Sequence, residues 1–141
     1  MKMFFDTSVL VAAALKHHPH HRRSLAAIAE TDRQTACCGA HSLAELYSVL
    51  TRLPGNDRLG GDQALLVLDG VEQKMEVVSL TAREYRAAIN ESAAAGVLGG
   101  RIYDALLAEC ALKARATRIL TWNVAHFRSL RPEISVKVHT P

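Results

Sequence analysis

The chain has 141 residues, of which 49% are hydrophobic and 22% are charged, so it is long enough and apolar enough to form one domain around its own core. Its formal charge of +3 at pH 7 is too small to identify a nucleic-acid-binding protein by itself. The odd count of three cysteines argues against a disulfide framework, and no segment is apolar over the length of a membrane span.

Short predicted strands alternate with helices along the chain. The strands cover residues 3–6, 34–38, 75–80 and 118–121, with an edge strand at residues 135–139. The helices cover residues 9–15, 20–30, 42–53, 62–73, 81–96, 102–116 and 124–129. Strands separated by helices are typical of a parallel sheet covered on both faces, so we predict a single α/β domain over residues 1–141.

Two of these helices begin with the pattern of a capping box. Thr81 and Glu84 fit it, and so do Ser42 and Glu45. In this motif each side chain bonds to the backbone N–H of the other residue and thereby fixes the helix start.

Three acids, Asp6, Glu45 and Asp104, lie at or near predicted helix starts in apolar surroundings. In an α/β fold, the carboxyl ends of the strands and the helix starts that follow them share one edge, where ligands bind. We therefore expect the three carboxylates to gather there and to form a site for a hard cation.

Each acid also has a purely structural explanation. Glu45 fits a capping box, and an acid such as Asp6 or Asp104 interacts favourably with a helix dipole at its N-terminus. However, Asp104 shares a helix face with Ala108 and Ala111, so its side chain should face the sheet. A buried acid needs a partner, and no nearby lysine or arginine is an obvious one. A bound cation would supply that partner.

The type of ligand indicates the chemistry. Carboxylates without a matching set of cysteines or histidines favour Mg²⁺ or Mn²⁺ over zinc. Such an ion keeps several waters, lowers the pKa of a bound water and neutralises charge that builds on phosphoryl oxygens. We therefore predict hydrolysis of phosphodiester bonds.

The segments that carry these acids resemble the PIN-domain ribonucleases. They are residues 4–10 (FFDTSVL), the helix with Glu45, residues 99–108 (GGRIYDALLA) and residues 119–127 (ILTWNVAHF). The resemblance covers the whole chain in the right order and is greatest to the VapC toxins of bacterial type II toxin–antitoxin systems.

This resemblance implies a three-layer α/β/α sandwich with a central parallel sheet of four to five strands. It also implies an endoribonuclease that depends on Mg²⁺ or Mn²⁺, prefers single-stranded RNA and forms a homodimer. The expected targets are transfer RNA or ribosomal RNA, and the expected partner is a cognate antitoxin whose C-terminal segment covers the active site. Because the first residues lack the apolar run of a signal peptide, we expect a cytoplasmic protein with no membrane partner.

The resemblance assigns the metal-binding, catalytic acids of the family to Asp6, Glu45 and Asp104, and the supporting hydroxyls to Ser8 and Thr121. Asn123 falls where many members carry a fourth catalytic acid. Because a neutral amide is a poorer ligand for Mg²⁺ than a carboxylate, a second metal would bind more weakly than the first.

Several other residues are candidates for RNA contacts. Arg101 and His126 lie near the expected site, and Arg22 and Arg23 follow a histidine tract at residues 17–21. For the arginines the alternative is a solvated charged face, and for His126 it is simple packing at the edge of a short helix. We expect the histidine tract to be a solvated connection. With aromatic residues at only 5%, RNA shape and phosphate contacts should dominate recognition over base stacking.

The sequence has two alternative interpretations besides a nuclease. A haloacid-dehalogenase-type phosphatase also has an aspartate after its first strand, but it requires a second one two residues later, where this chain has Ser8. A non-catalytic PIN-like module that docks a basic peptide or RNA stays open, because the carboxylates would then serve as caps or as a docking surface.

Overall fold

Five parallel strands form a single sheet at the centre of the structure, a computed structural model that describes residues 1–141. In chain order the strands are Met3–Phe5 (β1), Ala36–Gly39 (β2), Glu76–Val78 (β3), Arg118–Leu120 (β4) and Val138–His139 (β5). They lie in the order β3-β2-β1-β4-β5, and every neighbouring pair is parallel. The predicted parallel sheet is therefore confirmed.

Eight helices and one short 3₁₀ turn, Gly55–Asp57, connect the strands. The helices are Thr7–Ala14 (α1), His21–Ala29 (α2), Ala40–Thr51 (α3), Gly61–Lys74 (α4), Ala82–Ala94 (α5), Arg101–Lys113 (α6), Val124–Arg128 (α7) and Pro132–Ser135 (α8). None of them has the length and apolar character needed to cross a membrane. Helices on both faces of the sheet give the expected three-layer α/β/α sandwich.

Consecutive strand residues pack into two separate apolar cores, because side chains alternate between the two faces of a sheet. Phe4, fully buried, packs with Leu107 of α6 on one face. Phe5, also fully buried, packs with Leu10 of α1 and Leu46 of α3 on the other face. This alternation fixes which helices lie above and below β1.

The three cysteines are buried and unpaired, which agrees with the prediction of no disulfide framework. Adjacent Cys37 and Cys38 point into opposite cores. Burial raises the pKa of both thiols to about 12 and that of Cys110 to about 11, so all three are protonated and unreactive at neutral pH.

One of the two predicted capping boxes is wrong. Helix α3 begins at Ala40, directly after β2, and Gly39 is its N-cap residue without a side-chain hydrogen bond. Ser42 and Glu45 therefore lie inside the helix and not at its start. Packing favours glycine at position 39, because a Cβ there would lie 2.5 Å from Cδ2 of Leu107 and would force that side chain to move.

The other capping box is present at the start of α5. The Oγ1 atom of Thr81 accepts from the backbone N–H of Glu84 at 3.1 Å, and Oε1 of Glu84 accepts from the backbone N–H of Thr81 at 2.9 Å. Here a loop precedes the helix, so the local signal alone determines where the helix begins.

The predicted edge strand at residues 135–139 is only partly correct. Ser135 belongs to α8, and the strand β5 contains only Val138 and His139. Pro132 at the start of α8 is preorganised for a helix, and Ile134 anchors the turn in the core at 2% exposure. These two residues favour a helical turn at Ser135 over the strand that the sequence pattern predicted there.

The strand order creates a crevice at one edge of the sheet. From β1 the chain crosses to β2 on one side and returns later to β4 on the other side. Ligands of open α/β sheets bind at such a reversal, beyond the carboxyl ends of the strands. Asp6 directly follows β1 and Thr121 directly follows β4, so both residues border this crevice.

Candidate active site

Asp6 is the most deeply buried acid of the chain, with 1% of its surface exposed. Its Oδ2 atom accepts hydrogen bonds from the hydroxyls of Ser8 at 2.7 Å and Thr121 at 2.8 Å, and a longer one of 3.4 Å from the backbone N–H of Ser8. Burial raises the pKa of Asp6 above its ordinary value, and the bonds from Ser8 and Thr121 partly oppose that rise. Oδ1 receives none of these three bonds and is the oxygen best placed for a further ligand.

The two hydroxyls that hold Asp6 are themselves held by the backbone after β4. The N–H of Trp122 donates to Oγ of Ser8 at 2.9 Å, and the N–H of Asn123 donates to Oγ1 of Thr121 at 2.9 Å. Each hydroxyl therefore accepts from the backbone and directs its single hydrogen at Asp6. This arrangement favours the ionised form of the carboxylate.

Glu45 projects from α3 toward the start of α1. Its Oε1 atom accepts from the hydroxyl of Thr7 at 3.1 Å, and Oγ1 of Thr7 also lies 2.8 Å from Oγ of Ser42. His41, one turn earlier on α3, places Nε2 3.7 Å from Oε1 of Glu45. Burial raises the pKa of Glu45, and the charges of Asp6 and Asp104 add to the rise while Thr7 and His41 oppose it.

Asp104 occupies the first turn of α6, and 19% of its side chain is exposed. Its Oδ2 atom lies 3.2 Å from Nδ1 of His126 on α7. The pKa of Asp104 is raised, and burial is the largest cause. The charge of Asp6 raises this pKa further, whereas His126 and Arg101 lower it. The structure therefore places the ring of His126 against the site and not merely at the edge of its helix.

The three acids are close enough for their charges to interact, as the sequence predicts. No lysine or arginine forms an ion pair with any of them. No three acidic, histidine or cysteine side chains converge tightly enough to enclose an ion. Carboxylate oxygens are nevertheless the donors that a hard cation such as Mg²⁺ takes, and such an ion needs few protein carboxylates because it keeps several waters.

Asn123 contacts the site through its backbone N–H and not through its side chain. Its side chain is exposed and forms no cap bond at the start of α7, whereas its N–H orients Thr121. The structure thus leaves the amide side chain free at the rim of the site.

The candidate RNA-contacting arginines differ in position. Arg101, at the start of α6, donates from Nη2 to Oγ of Ser129 at 2.5 Å and lies near Asp104. The guanidinium carbon of Arg23 lies 5.4 Å from the ring centroid of Trp122. Arg22 is exposed on α2 and forms no salt bridge.

The histidine tract is exposed at His17 and His20, as expected, but His20 and His21 also contact other parts of the fold. The ring of His20 stacks on Trp122, with centroids 3.7 Å apart and planes within 9°. Nδ1 of His21 lies 3.0 Å from the carbonyl oxygen of Ala12. Only the fold brings His20 to its partner, because Trp122 lies in a distant part of the sequence.

Sequence reasoning also missed residues that line the site. Thr7 and Ser42 form the link between α1 and Glu45. His41 stacks on Tyr103 with ring centroids 4.9 Å apart, which connects α3 to the helix of Asp104. The position of Thr7, next to Asp6 at a helix start, is the one signal in the sequence that points to any of them.

Comparison with known sequences gives consistent similarities. The family profile described as PIN domain matches residues 3–129. Ribonuclease VapC27 of Mycobacterium tuberculosis is 38% identical over 111 residues, which cover 79% of this chain and 77% of that protein. Ribonuclease VapC40 of Mycobacterium tuberculosis is 34% identical over 134 residues, which cover 93% of this chain and 96% of that protein.

Solved structures share the fold at lower sequence identity. VapBC2 from Rickettsia felis, bound to a DNA fragment from their promoter, has a TM-score of 0.69 and 21% identity, covering 100% of this chain and 99% of that one. Mycobacterium tuberculosis VapC20, a sarcin-ricin loop cleaving toxin, has a TM-score of 0.68 and 18% identity, covering 84% and 87%.

Proposed function

The chain belongs to the PIN-domain family, among the VapC-type toxins, and from this membership we propose that it is a metal-dependent endoribonuclease. It would hydrolyse phosphodiester bonds of RNA as the toxin of a toxin–antitoxin pair. The observation that carries the proposal is the buried Asp6, whose ionised form is stabilised by hydrogen bonds from two hydroxyls. Two further acids lie beside it, and none of the three acids forms an ion pair with a lysine or arginine.

Asp6 and Asp104, with Glu45, would hold Mg²⁺ or Mn²⁺. When bound, such a cation supplies an activated water and neutralises charge on the phosphoryl oxygens. The hard oxygen donors and the mutual repulsion of the three acids support this assignment, since each acid has a raised pKa and gains from a nearby positive charge.

The other residues position these acids. Ser8 and Thr121 fix the orientation of Asp6, Thr7 fixes Glu45, and His126 contacts Asp104. Preorganised ligands of this kind lose little entropy when the substrate binds. His126 is 57% exposed on its side chain, which suits a contact with the phosphate or a proton transfer to the leaving oxygen.

We further propose that the RNA target is a transfer RNA or a ribosomal RNA, that the partner is a cognate antitoxin, and that the chain forms a homodimer. The names of the relatives VapC27 and VapC40, both ribonucleases, support an RNA substrate. The similarity to VapBC2 and to VapC20 supports the same fold for the toxin.

The test is cleavage of purified total RNA by the purified protein in Mn²⁺, with EDTA as the blank. We expect cleavage that Asp6→Asn abolishes and that Asp69→Asn, the same change at an exposed position of α4, leaves intact. Metal-independent cleavage would reject the metal mechanism. Binding of RNA or a basic peptide without cleavage in any divalent metal would instead favour the non-catalytic binding module.

A further inference from the structure

The single tryptophan of the chain, Trp122, forms part of a stack at the rim of the site. Its ring lies parallel to that of His20, with centroids 3.7 Å apart. Its Nε1–H donates to Oγ of the buried Ser24 at 2.8 Å, so the indole is fixed between α2 and the end of β4. Arg23 lies over the same indole at 5.4 Å.

The backbone of Trp122 is linked to the carboxylate of Asp6 through the hydroxyl of Ser8. The backbone N–H of Trp122 donates to Oγ of Ser8, and that hydroxyl donates to Asp6. The backbone of Trp122, which carries the indole, therefore lies two hydrogen bonds from the buried acid. The residue that supports the stack is thus a direct neighbour of the residues that hold Asp6.

The two rings of the stack have different surroundings. Trp122 is half-buried and packs against the apolar core around Leu10 and Leu120, so its position follows from ordinary core packing. His20 is exposed and belongs to no core. Trp122 covers one face of the His20 ring, and the nearest other ring, His18, is 5.8 Å away and tilted by 44°. No second ring stacks on His20, and the residue is exposed, so solvent reaches its side chain.

We propose that the outer face of His20 binds a nucleobase of single-stranded RNA, with Trp122 as the rigid support beneath it. The proposal rests on the proposed ribonuclease function and adds a base-stacking subsite to it. Stacking on a flat ring is available to every base, so the subsite should tolerate different sequences. Arg23, beside the indole, would contact the adjoining phosphate.

The subsite revises what the low aromatic content suggested. A few aromatic residues suffice when one of them is held in place before RNA arrives, because little side-chain freedom is then lost on binding. Loss of one base–aromatic stack weakens binding by about tenfold.

The experiment measures binding of a fluorescein-labelled single-stranded oligonucleotide by anisotropy, in an Asp104→Asn background that does not cleave it. We expect His20→Ala to weaken binding by about tenfold and His20→Phe, which keeps a flat ring, to retain most of the affinity. His17→Ala is the matched control, because His17 is exposed in the same tract and lies outside the stack. The affinity of the His17→Ala variant for the oligonucleotide should equal that of the Asp104→Asn background protein.

A second series uses the protein with His20 intact and places an abasic nucleotide at each position of the oligonucleotide in turn. One position should weaken binding by about tenfold, and that sensitivity should vanish in His20→Ala. Equal binding by His20→Ala and His17→Ala, or the absence of any sensitive position, would overturn the inference.

Cleavage separates this inference from the proposed function. If the wild-type chain and His20→Ala cut RNA with the same KM and kcat in Mn²⁺, the ribonuclease function stands and the stacking subsite is rejected. If the wild-type chain neither binds nor cuts RNA in any divalent metal, both proposals fail together.

Discussion

The hydroxyl oxygens of Ser8 and Thr121 lie 3.3 Å apart, although 113 positions separate the two residues in the sequence, and both donate to the same oxygen of Asp6. Residues that follow the neighbouring strands β1 and β4 therefore bind the same carboxylate. The position of Asp6 therefore depends on the packing of β1 against β4 as well as on its own helix start.

Replacement of Thr121 tests this dependence. Thr121→Val keeps the shape of the buried side chain but removes the hydroxyl, which leaves the N–H of Asn123 without an acceptor and costs about 1–3 kcal/mol of stability. Asp6 loses a donor, its pKa rises further, and cleavage should fall by about tenfold. Thr121→Ser keeps the hydroxyl and should stay close to the wild type in thermal unfolding and cleavage rate.

Removal of each acid charge should abolish activity without unfolding the chain. Asp6→Asn, Glu45→Gln and Asp104→Asn should each lower cleavage by at least about a hundredfold, because each removes a charge that would hold the proposed cation. Any growth arrest on expression should disappear with the activity. Stability should hold or rise, since one of three repelling carboxylates is gone.

Circular dichroism and RNA cleavage on the same preparations check this prediction, with Glu30→Gln, an exposed residue after α2, as the matched control for Glu45→Gln. Variants that unfold yet retain activity per folded molecule would show that the acids are structural.

The metal-free protein should show the raised pKa of Asp6 in its stability. Below about pH 3.8 the carboxyl is protonated in both the folded and the unfolded chain, and its burial has no electrostatic cost. As pH rises toward the raised folded pKa, the unfolded chain ionises more readily and the folded state loses stability. Above the folded pKa the loss is constant.

Asp6→Asn removes this loss, so its stability relative to the wild type should increase from about pH 4 upward and then level off. Thermal unfolding in EDTA across this pH range measures the difference, with Asp69→Asn as the baseline. Saturating Mn²⁺ should stabilise the wild type and not Asp6→Asn. A difference that is independent of pH would contradict the prediction.

Asn123 should limit metal affinity. Asn123→Asp adds a carboxylate at the rim of the site, and the Mn²⁺ concentration for half-maximal cleavage should fall by about tenfold. The wild type should need less Mn²⁺ than Mg²⁺. Asn56→Asp, an exposed change in the 3₁₀ turn, provides the same charge at a distant place and should have no effect on the metal titration.

A cognate antitoxin should place a basic side chain among the acids. Arginine suits this position because its planar fork bridges two carboxylates and stays charged at physiological pH. The rest of the antitoxin segment should be amphipathic and lie beside α1 and α3. Antitoxin Arg→Ala should reduce inhibition more than binding, and high Mn²⁺ should weaken the complex. Affinity and inhibition that are both unchanged by Asp6→Asn, Asp104→Asn and metal would argue against this competition.

Local patterns in the sequence were sufficient for the architecture. The alternation of short apolar runs with helical patterns predicted the parallel sheet, because a buried strand and an amphipathic helix each have a period that neighbours in sequence reveal. Asp6 and Asp104 were identified for the same reason, since each lies where an apolar element begins or ends. The capping box of Thr81 and Glu84 was correct because both partners lie within one turn.

Only the tertiary structure decided the contacts between distant segments. Glu45 has the spacing of a helix cap, yet it bonds to Thr7, because β2 runs directly into α3 and moves the helix start to Ala40. His20 lies against Trp122 because the crossovers bring α2 beside the end of β4. Such contacts depend on strand order and helix packing, which no local period encodes, and they determine how the acids are held and what surface surrounds them.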